Sequence, residues 1–305
     1  MAADQLGVDA GRTGVTGTAA GPTGVAAIRR SVSPVRIVGV RPGRHLELPD
    51  QVVTEEPMEI RAAGPHQLPE AVAVTMRTPG HDFELAAGYL LTEGLVQPAE
   101  VAAVKYCELE DGEEQRFNVV TVSLTRPFDP GQFQRNFGMT SSCGICGKAS
   151  LDQVEVKCAT LPPSPDGGLV PASLIPTLPD RLREAQRLFD QTGGLHAAAL
   201  FDTTGQLHCL REDVGRHNAV DKVIGHAVLH RTLPLDERIL MVSGRVSFEI
   251  VQKAAMASVA VLAAVSAPSS LAVDAGERLG VTVAAFVRND TYNVYSHPER
   301  LDFNR

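Results

Sequence analysis

From residue 175 onward the apolar pattern switches again and again between helical and extended periods, which restricts this half of the chain to a layered α/β arrangement. Residues 179–192 place Leu182, Ala185, Leu188 and Phe189 on one helical face, between Pro179, suited to a first turn, and Gly193, suited to a stop. The runs LHAAALFD and QLHCLRE, joined by a turn at residues 203–205, read as a hairpin. HNAVDKVIGHAVLH then carries Val220, Val223, Ile224, Ala227 and Val228 as a helical stripe. The strand RILMVSG, a helix around SFEIVQKAAMASV, the strand VAVLAAVS, the helix SLAVDAGERL and the strand VTVAAFVR continue the series, so a largely parallel sheet is expected. Polar residues gather where these strands end, at Glu212 and Asp213, at residues 243–245, at residues 266–268 and at Arg288. Open α/β sheets bind ligands at the carboxyl ends of their strands, so these segments are expected to converge on one site.

Upstream, VRIVGV, AVAVTMRT, VAAVKYCEL and FNVVTVSL are β-like runs. One helix interrupts them at residues 82–96, with Asp82 placed to cap it, Leu90 and Leu91 on its buried face and Pro98 ending the segment. Residues 126–147 form a long loop, a length that is usually functional or disordered. The expected organisation is therefore a disordered Gly-, Ala- and Thr-rich tail at 1–34, a β-rich domain at 35–138, a mobile cysteine loop and linker at 139–172, and an α/β domain at 173–305.

A formal charge of −8 argues against general attraction to nucleic acid or to an anionic membrane. No run of 18 apolar residues is present, and the Arg29–Arg30 pair is followed by a stretch broken by Pro34, Arg36, Arg41 and Pro42, so spanning and export are both disfavoured. Five cysteines with a single close pair do not make a secreted disulfide framework, and a cytoplasmic location is expected.

The close pair is Cys143 and Cys146 in TSSCGICGK, residues 140–148. A structural zinc site would need a second pair or suitably spaced histidines. His226 and His230 lie four apart but have no accompanying carboxylate motif, so no structural metal is expected and they read as a solvated edge. Gly144 and Gly147 leave room for an electrophile, and Lys148 favours the thiolate, as a nucleophile in sulfur exchange requires. Cys107, Cys158 and Cys209 sit in apolar or strand-like contexts and read as packing residues.

The blocks RTPGHDFELAAGYLLTEG, TSSCGICGK, GGLHAAAL, EDVGRHNAVDKVIG, MVSGRVSFEIVQKAA, VSAPSSLAV and FVRNDTYNVY, in order from about residue 70 to 295, resemble the FdhD family of formate dehydrogenase accessory sulfurtransferases. Ser269 stands where the family often has threonine, which keeps a hydroxyl. The resemblance implies a carrier that takes persulfide sulfur from a cysteine desulfurase onto Cys143, with Cys146 as assistant or second relay thiol. It further implies delivery to Mo-bis(molybdopterin guanine dinucleotide), held as a bound client, for the formate dehydrogenase catalytic subunit. A cytidine-deaminase-like layered α/β domain with a smaller β-rich N-terminal domain, and a homodimer, are implied as well. Zinc deaminase chemistry itself needs H-x-E and P-C-x-x-C, and Cys143 has no proline immediately before it.

Such a client is polyanionic, so an acidic chain must collect its cations and amide donors locally. Gly193 and Gly194 would permit close backbone approach beside His196, though a plain helix stop explains the glycines equally well. Arg216, His217, Asn218 and Lys222 crowd one strand-to-helix junction, and Ser243, Gly244 and Arg245 form a second, suited to phosphate. By resemblance, Phe286, Val287, Arg288, Asn289, Asp290 and Thr291 correspond to the family's cofactor-binding stretch. Two other classes compete: a guanine-nucleotide cofactor chaperone that passes no sulfur, and a thiol-disulfide oxidoreductase.

Overall fold

Pro42 and Gly43, the latter at φ 75°, turn the first two strands, β1 (Val32–Arg41) and β2 (Arg44–Val53), into an antiparallel ribbon. The computed structural model describes residues 30–107, 115–129, 160–164 and 168–304. Residues 1–29, and the cysteine loop with Cys143, Cys146 and Cys158, lie outside the described residues. Val32 to Pro34, which composition assigns to the tail, pair in the ribbon with Val53, Val52 and Gln51.

A four-stranded sheet follows, built from β3 (Glu56–Ala63), β4 (Glu70–Arg77), β5 (Val101–Tyr106) and β6 (Val119–Leu124) in the order β4-β3-β6-β5. The helix α1 (Asp82–Thr92) lies on it, with Leu85, Ala86 and Leu90 packed against Met58, Ile60, Val120 and Val122. The expected Asp82 cap is not made. His81, at φ 57°, occupies the N-cap position, and the Asp82 carboxylate accepts from Arg77 Nε at 3.0 Å and Nη2 at 2.8 Å. Arg77 is fully buried, and burying a guanidinium requires a carboxylate partner, which takes precedence over the cap.

After β7 (Val170–Pro171), the expected single helix at 179–192 is divided into α2 (Leu178–Ala185) and α3 (Arg187–Thr192), with Gln186 at ψ 84° between them. Gly193, at φ 65°, ends α3 and donates to Phe189 O. The larger sheet comprises β8 (His196–Asp202), β9 (Leu207–Asp213), β10 (Arg238–Val242), β11 (Val261–Ala264), β12 (Thr282–Arg288) and β13 (Thr291–Ser296). Its order is β13-β12-β11-β10-β8-β9. The chain ends with β14 (Leu301–Asp302), which pairs with β7.

The sheet is mixed, which corrects the expectation of a largely parallel one. The β10–β11 and β11–β12 pairs are parallel, whereas β8–β9, β8–β10 and β12–β13 are antiparallel. Short turns cause this. Asp202 Oδ1 accepts from Thr204 N and Gln206 N to close the β8–β9 turn, and Asn289 and Asp290, at φ 48° and 62°, close the β12–β13 turn in the left-handed geometry of a tight hairpin.

The helices α4 (Arg216–Leu229), α5 (Phe248–Met256) and α6 (Ser270–Leu279) cover one face, burying Val223, Ile224, Val251, Ala254 and Ala275 against Leu200, Leu240 and Leu262. Leu174, Ile175, Leu178 and Leu182 cover the other face over Ala199, Phe201, Met241 and Val261. The β10–α5 and β11–α6 connections match in length and in capping position. Ser247 and Ser269 occupy the two N-caps, Ser269 Oγ accepts from Ala272 N at 3.2 Å, and Val246 bridges Pro268 between the loops.

Helix α1 is buried on both sides, because its far face crosses α4 at Gly88 and Gly225. A Cβ on Gly88 would collide with the carbonyl oxygen of Asp221, and one on Gly225 with that of Glu84. Elsewhere in a helix, glycine to alanine gains about 1 kcal/mol of propensity. Here Gly88→Ala or Gly225→Ala should instead destabilise by roughly 1–3 kcal/mol through overpacking, read as a lower midpoint in urea unfolding.

Candidate functional site

The start of β8 and the ends of β9, β10, β11 and β12 lie along one edge of the larger sheet, since the rungs His196↔Asp213, Ala198↔Val242 and Val242↔Ala264 run across it. Val265 N donates to Val242 O and Phe286 N to Ser266 O, carrying the edge onward to β12. The polar strand ends therefore do converge.

At the β9–α4 junction the fully buried Asp213 accepts at Oδ1 from Gly215 N at 2.8 Å and Asn218 Nδ2 at 3.1 Å, and at Oδ2 from Thr78 N at 3.1 Å. Lys222 Nζ, also buried, lies 2.7 Å from Asp213 Oδ2 and donates to Thr78 O at 2.9 Å and Glu212 O at 3.3 Å. Those three acceptors use all three ammonium protons. Asn218 donates to Met76 O and accepts from Thr75 Oγ1. Asn218 and Lys222, expected among the cofactor contacts, thus fasten β4 and its following loop to the junction, with their polar ends facing inward.

His196, Arg216, His217, Ser243, Gly244 and Arg245 form a separate group on the outer side of that lock. A Cβ on Gly244 would sit 3.2 Å from His196 Nδ1 and 3.6 Å from Arg216 Cβ, so glycine is what lets ring, guanidinium stem and loop come together. Ser243 Oγ accepts from Ala197 N at 2.9 Å, extending the β8–β10 ladder by one rung. His217 Nε2 lies 2.9 Å from Glu249 Oε2 and 3.2 Å from Ser247 Oγ, and the hydrogen bond from His217 holds the Glu249 carboxyl below its ordinary range. Burial, and after it the charge of Arg216, pushes the His196 imidazole below its ordinary pKa; His217 and Arg245 add to this, and Asp213 opposes it. The surround thus favours the neutral imidazole of His196. Among the described residues the buried Arg216 Nε has no hydrogen-bond partner.

A cavity of about 570 Å³ opens beside this group, with His196, Ser243, Val214 and Val265 on one wall and residues of α2, α3, Gly193 and Gly194 on the other. That volume is in the usual range for a small-molecule site. The α2–α3 wall was not expected from sequence, because nothing in its amphipathic pattern distinguishes a cavity wall from a solvated helix.

The 286–291 segment lies on the same edge three strands from β8, about 14 Å away at ~4.8 Å per strand. Arg288, Asn289, Asp290 and Thr291 are exposed, and Phe286 is half-buried at φ 57°, a strained conformation for an aromatic residue, at the break in register between Ala285 and Arg288. Val287 is fully buried in the core, so only its backbone faces the edge.

Outside this edge, burial pushes the Cys209 thiol up to about 11, in keeping with a packing role. The histidine pair at the end of α4 is not simply solvated: His226 Nδ1 lies 3.0 Å from Glu84 Oε1 of α1, and its ring stacks 4.0 Å from that of His230. Among the described residues no cluster of three or more His, Cys, Asp or Glu is placed to hold a metal, and no helix is long and apolar enough to cross a membrane.

The sequence profile of the FdhD/NarQ family matches residues 53–302. A sulfur carrier protein FdhD from Mycolicibacterium paratuberculosis is 49% identical over 271 residues, covering 87% of this chain and 97% of that protein. One of the same description from Streptomyces avermitilis is 49% identical over 276 residues, covering 87% and 94%. In fold, the chain is similar to the crystal structure of a putative formate dehydrogenase accessory protein from Desulfotalea psychrophila, with a TM-score of 0.68 at 24% identity, covering 89% of this chain and 100% of that one.

Lys222→Met leaves the Asp213 charge buried without its counter-ion, and should cost about 3–5 kcal/mol in urea unfolding. Arg216→Ala, at a half-buried position with no such obligation, should unfold within about 1 kcal/mol of the parent.

Proposed function

The chain belongs to the FdhD/NarQ family, and from that premise we propose that it is a sulfur carrier that loads persulfide on Cys143 and delivers sulfur to Mo-bis(molybdopterin guanine dinucleotide) for formate dehydrogenase. The observation that carries this reading is the gathering of Arg216, His217 and Arg245 around His196 and Ser243, which line a cavity at this edge, in a chain of net charge −8. Local cations against an acidic background select an anionic client held at one place.

The client has two nucleotide arms. The edge offers two patches, the cavity beside His196 and the exposed turn around Arg288, about 14 Å apart by strand spacing. Ser243 and the loop backbone that follows supply hydroxyl and amide groups suited to phosphate oxygens, and Arg216, Arg245 and Arg288 supply charge. An approaching phosphate would favour the imidazolium of His196, because an anion stabilises the charged ring.

Loading is an exchange of sulfur. The Cys143 thiolate attacks the outer sulfur of the desulfurase persulfide, the donor's S–S bond breaks, the donor leaves as thiolate, and Cys143 retains S–SH. In delivery the Cys146 thiolate attacks the Cys143 Sγ; the outer sulfur leaves as hydrosulfide for the molybdenum client, and a Cys143–Cys146 disulfide remains. The two thiols supply the two electrons, and a cellular dithiol reductant restores them. A homodimer working in the cytoplasm, with a cysteine desulfurase and the formate dehydrogenase catalytic subunit as its two partners, completes the proposal.

Incubation with a cysteine desulfurase and cysteine should add the mass of one sulfur atom to the peptide spanning residues 136–148. Cys143→Ala should lose that gain and fail to restore formate dehydrogenase activity in a strain lacking its own copy. Restoration by the Cys143→Ala, Cys146→Ala double variant would instead establish a chaperone that passes no sulfur, and reduction of protein disulfides without any persulfide would establish an oxidoreductase.

A further inference from the structure

The ribbon of β1 and β2 is more apolar than its own fold accounts for. It pairs over ten rungs, from Val32↔Val53 to Arg41↔Arg44, and among the described residues it joins no third strand. The bonds that attach it to the body lie at its base, where Thr54 N donates to Ser31 O at 2.9 Å, Ser31 Oγ donates to Pro79 O at 2.8 Å and Ser33 Oγ lies 2.6 Å from Thr54 Oγ1. Six of the eleven large hydrophobic side chains that are exposed among the described residues stand on it. A two-stranded ribbon on its own is marginal in water, and an open apolar patch marks an interaction site, so this one calls for a cover. The family profile begins at residue 53, so family membership does not explain the ribbon.

Register tells which side is to be covered. Opposed residues share a face, which puts Val35, Ile37, Leu46, Leu48 and Val52 together, with Ile37 37%, Leu46 47%, Leu48 38% and Val52 41% exposed. Gly39 adds no side chain to this face, and Leu48 Cδ1 lies over it, 3.0 Å from where a Cβ would stand, which flattens the face. The opposite face mixes Val38 and Val40 with Arg36, His45 and Glu47, a pattern suited to water. The edges are closed to a further strand. Arg41 and Arg44 flank a two-residue turn and so form a hydrogen-bonded rung; alternation from it puts Pro34↔Gln51 and Arg36↔Pro49 on non-bonded rungs, where an N–H would point outward. Proline at both positions removes a donor from each edge, so the cover must come onto the face.

Charge selects what covers it. The apolar face carries Arg41 and Arg44 at its tip and Asp50 six rungs nearer the base. Among the described residues none of the three meets an opposite charge: Arg41 Nη1 donates to Val40 O at 3.0 Å, and Asp50 Oδ1 accepts from Gln51 N at 2.8 Å. Two ribbons stacked tip over tip would bring four arginines together. Stacked tip over base about a two-fold axis, each Arg44 meets the partner's Asp50 and the apolar faces bury one another, which makes the surface complementary to itself. We infer that this face of the ribbon is the surface through which two copies of the chain associate, tip over base. The inference rests on the homodimer reading and adds to it the residues that join the copies.

Sedimentation of the full chain across about 1–100 µM tests it, a range suited to an interface at the small end of the scale. The parent should be a dimer at the upper end. Leu48→Asp, at an exposed position, should stay a monomer throughout with an unchanged circular dichroism spectrum. Arg44→Asp and Asp50→Arg should each weaken the dimer about tenfold, because two ion pairs become two repulsions, and the two together should restore it to within about threefold. These reversals carry the test if Leu48→Asp fails to fold. A dimeric parent whose folded Leu48→Asp variant associates equally well overturns the ribbon surface and leaves the homodimer reading standing. A parent that stays monomeric overturns both. Single reversals without effect, or a double reversal that restores nothing, overturn the tip-over-base arrangement.

Discussion

The crossing of α1 over α4 is the contact on which the rest of the architecture depends. Gly88 and Gly225 bring the two backbones close enough that a methyl group on either would strike a carbonyl oxygen of the other helix. Close approach leaves no water between the helices, so each polar side chain at the seam must find its partner within the protein. The side chains comply. Lys253 of α5 reaches Thr92 Oγ1 at 2.8 Å, Glu93 Oε1 at 3.0 Å and Asp221 Oδ1 at 2.9 Å, while Arg211 of β9 binds both oxygens of Glu84. These pairs span α1, α4, α5 and β9, and they attach the small sheet to the larger one in one register. Ion pairs of this kind add modest net stability but penalise any other docking heavily, because a misplaced helix would strand a buried charge.

The same division of charge explains the edge of the larger sheet. Its inner cations, Lys222 and Arg77, are spent on Asp213 and Asp82 and hold the β4 end, the start of α1 and the β9–α4 junction together. Its outer cations, Arg216, Arg245 and Arg288, are not members of the buried lock and are half-buried or exposed. One layer of charge thus fixes the loops, and the next layer gives them a basic surface on an acidic protein. Glycine at position 244 and strain at Phe286 occur in this outer layer, where backbone geometry answers to the edge more than to the core.

Much of this was legible in the residues. The helical stripe of α4, the strand runs of β8 through β12, the glycine stop at Gly193 and the gathering of polar residues at strand ends follow from periodicity and turn chemistry. The hairpin of β8 with β9 was legible too, but not that β8, and not β9, lies beside β10 and so runs antiparallel to it, because the order of strands within a sheet leaves no mark in the runs themselves. Asp82 reads as a helix cap, yet it serves Arg77, since the demand of a buried guanidinium becomes visible only once the guanidinium is known to be buried. Lys222 and Arg216 stand in one block and read alike; six positions apart along α4, they end on opposite sides of the Asp213 lock.

Sequence alone determined the inventory: a close thiol pair among glycines, an acidic chain with basic strand ends, and a family pattern from about residue 70 to 295. Those properties reside in residue type and order, which need no fold to be counted. Tertiary structure decided which of the polar groups are free, since that depends on whether a partner from a distant segment reaches them first. Thr78 and Asp213, 135 positions apart, complete the enclosure of Lys222, whereas among the described residues none pairs with the buried Gln186 Nε2.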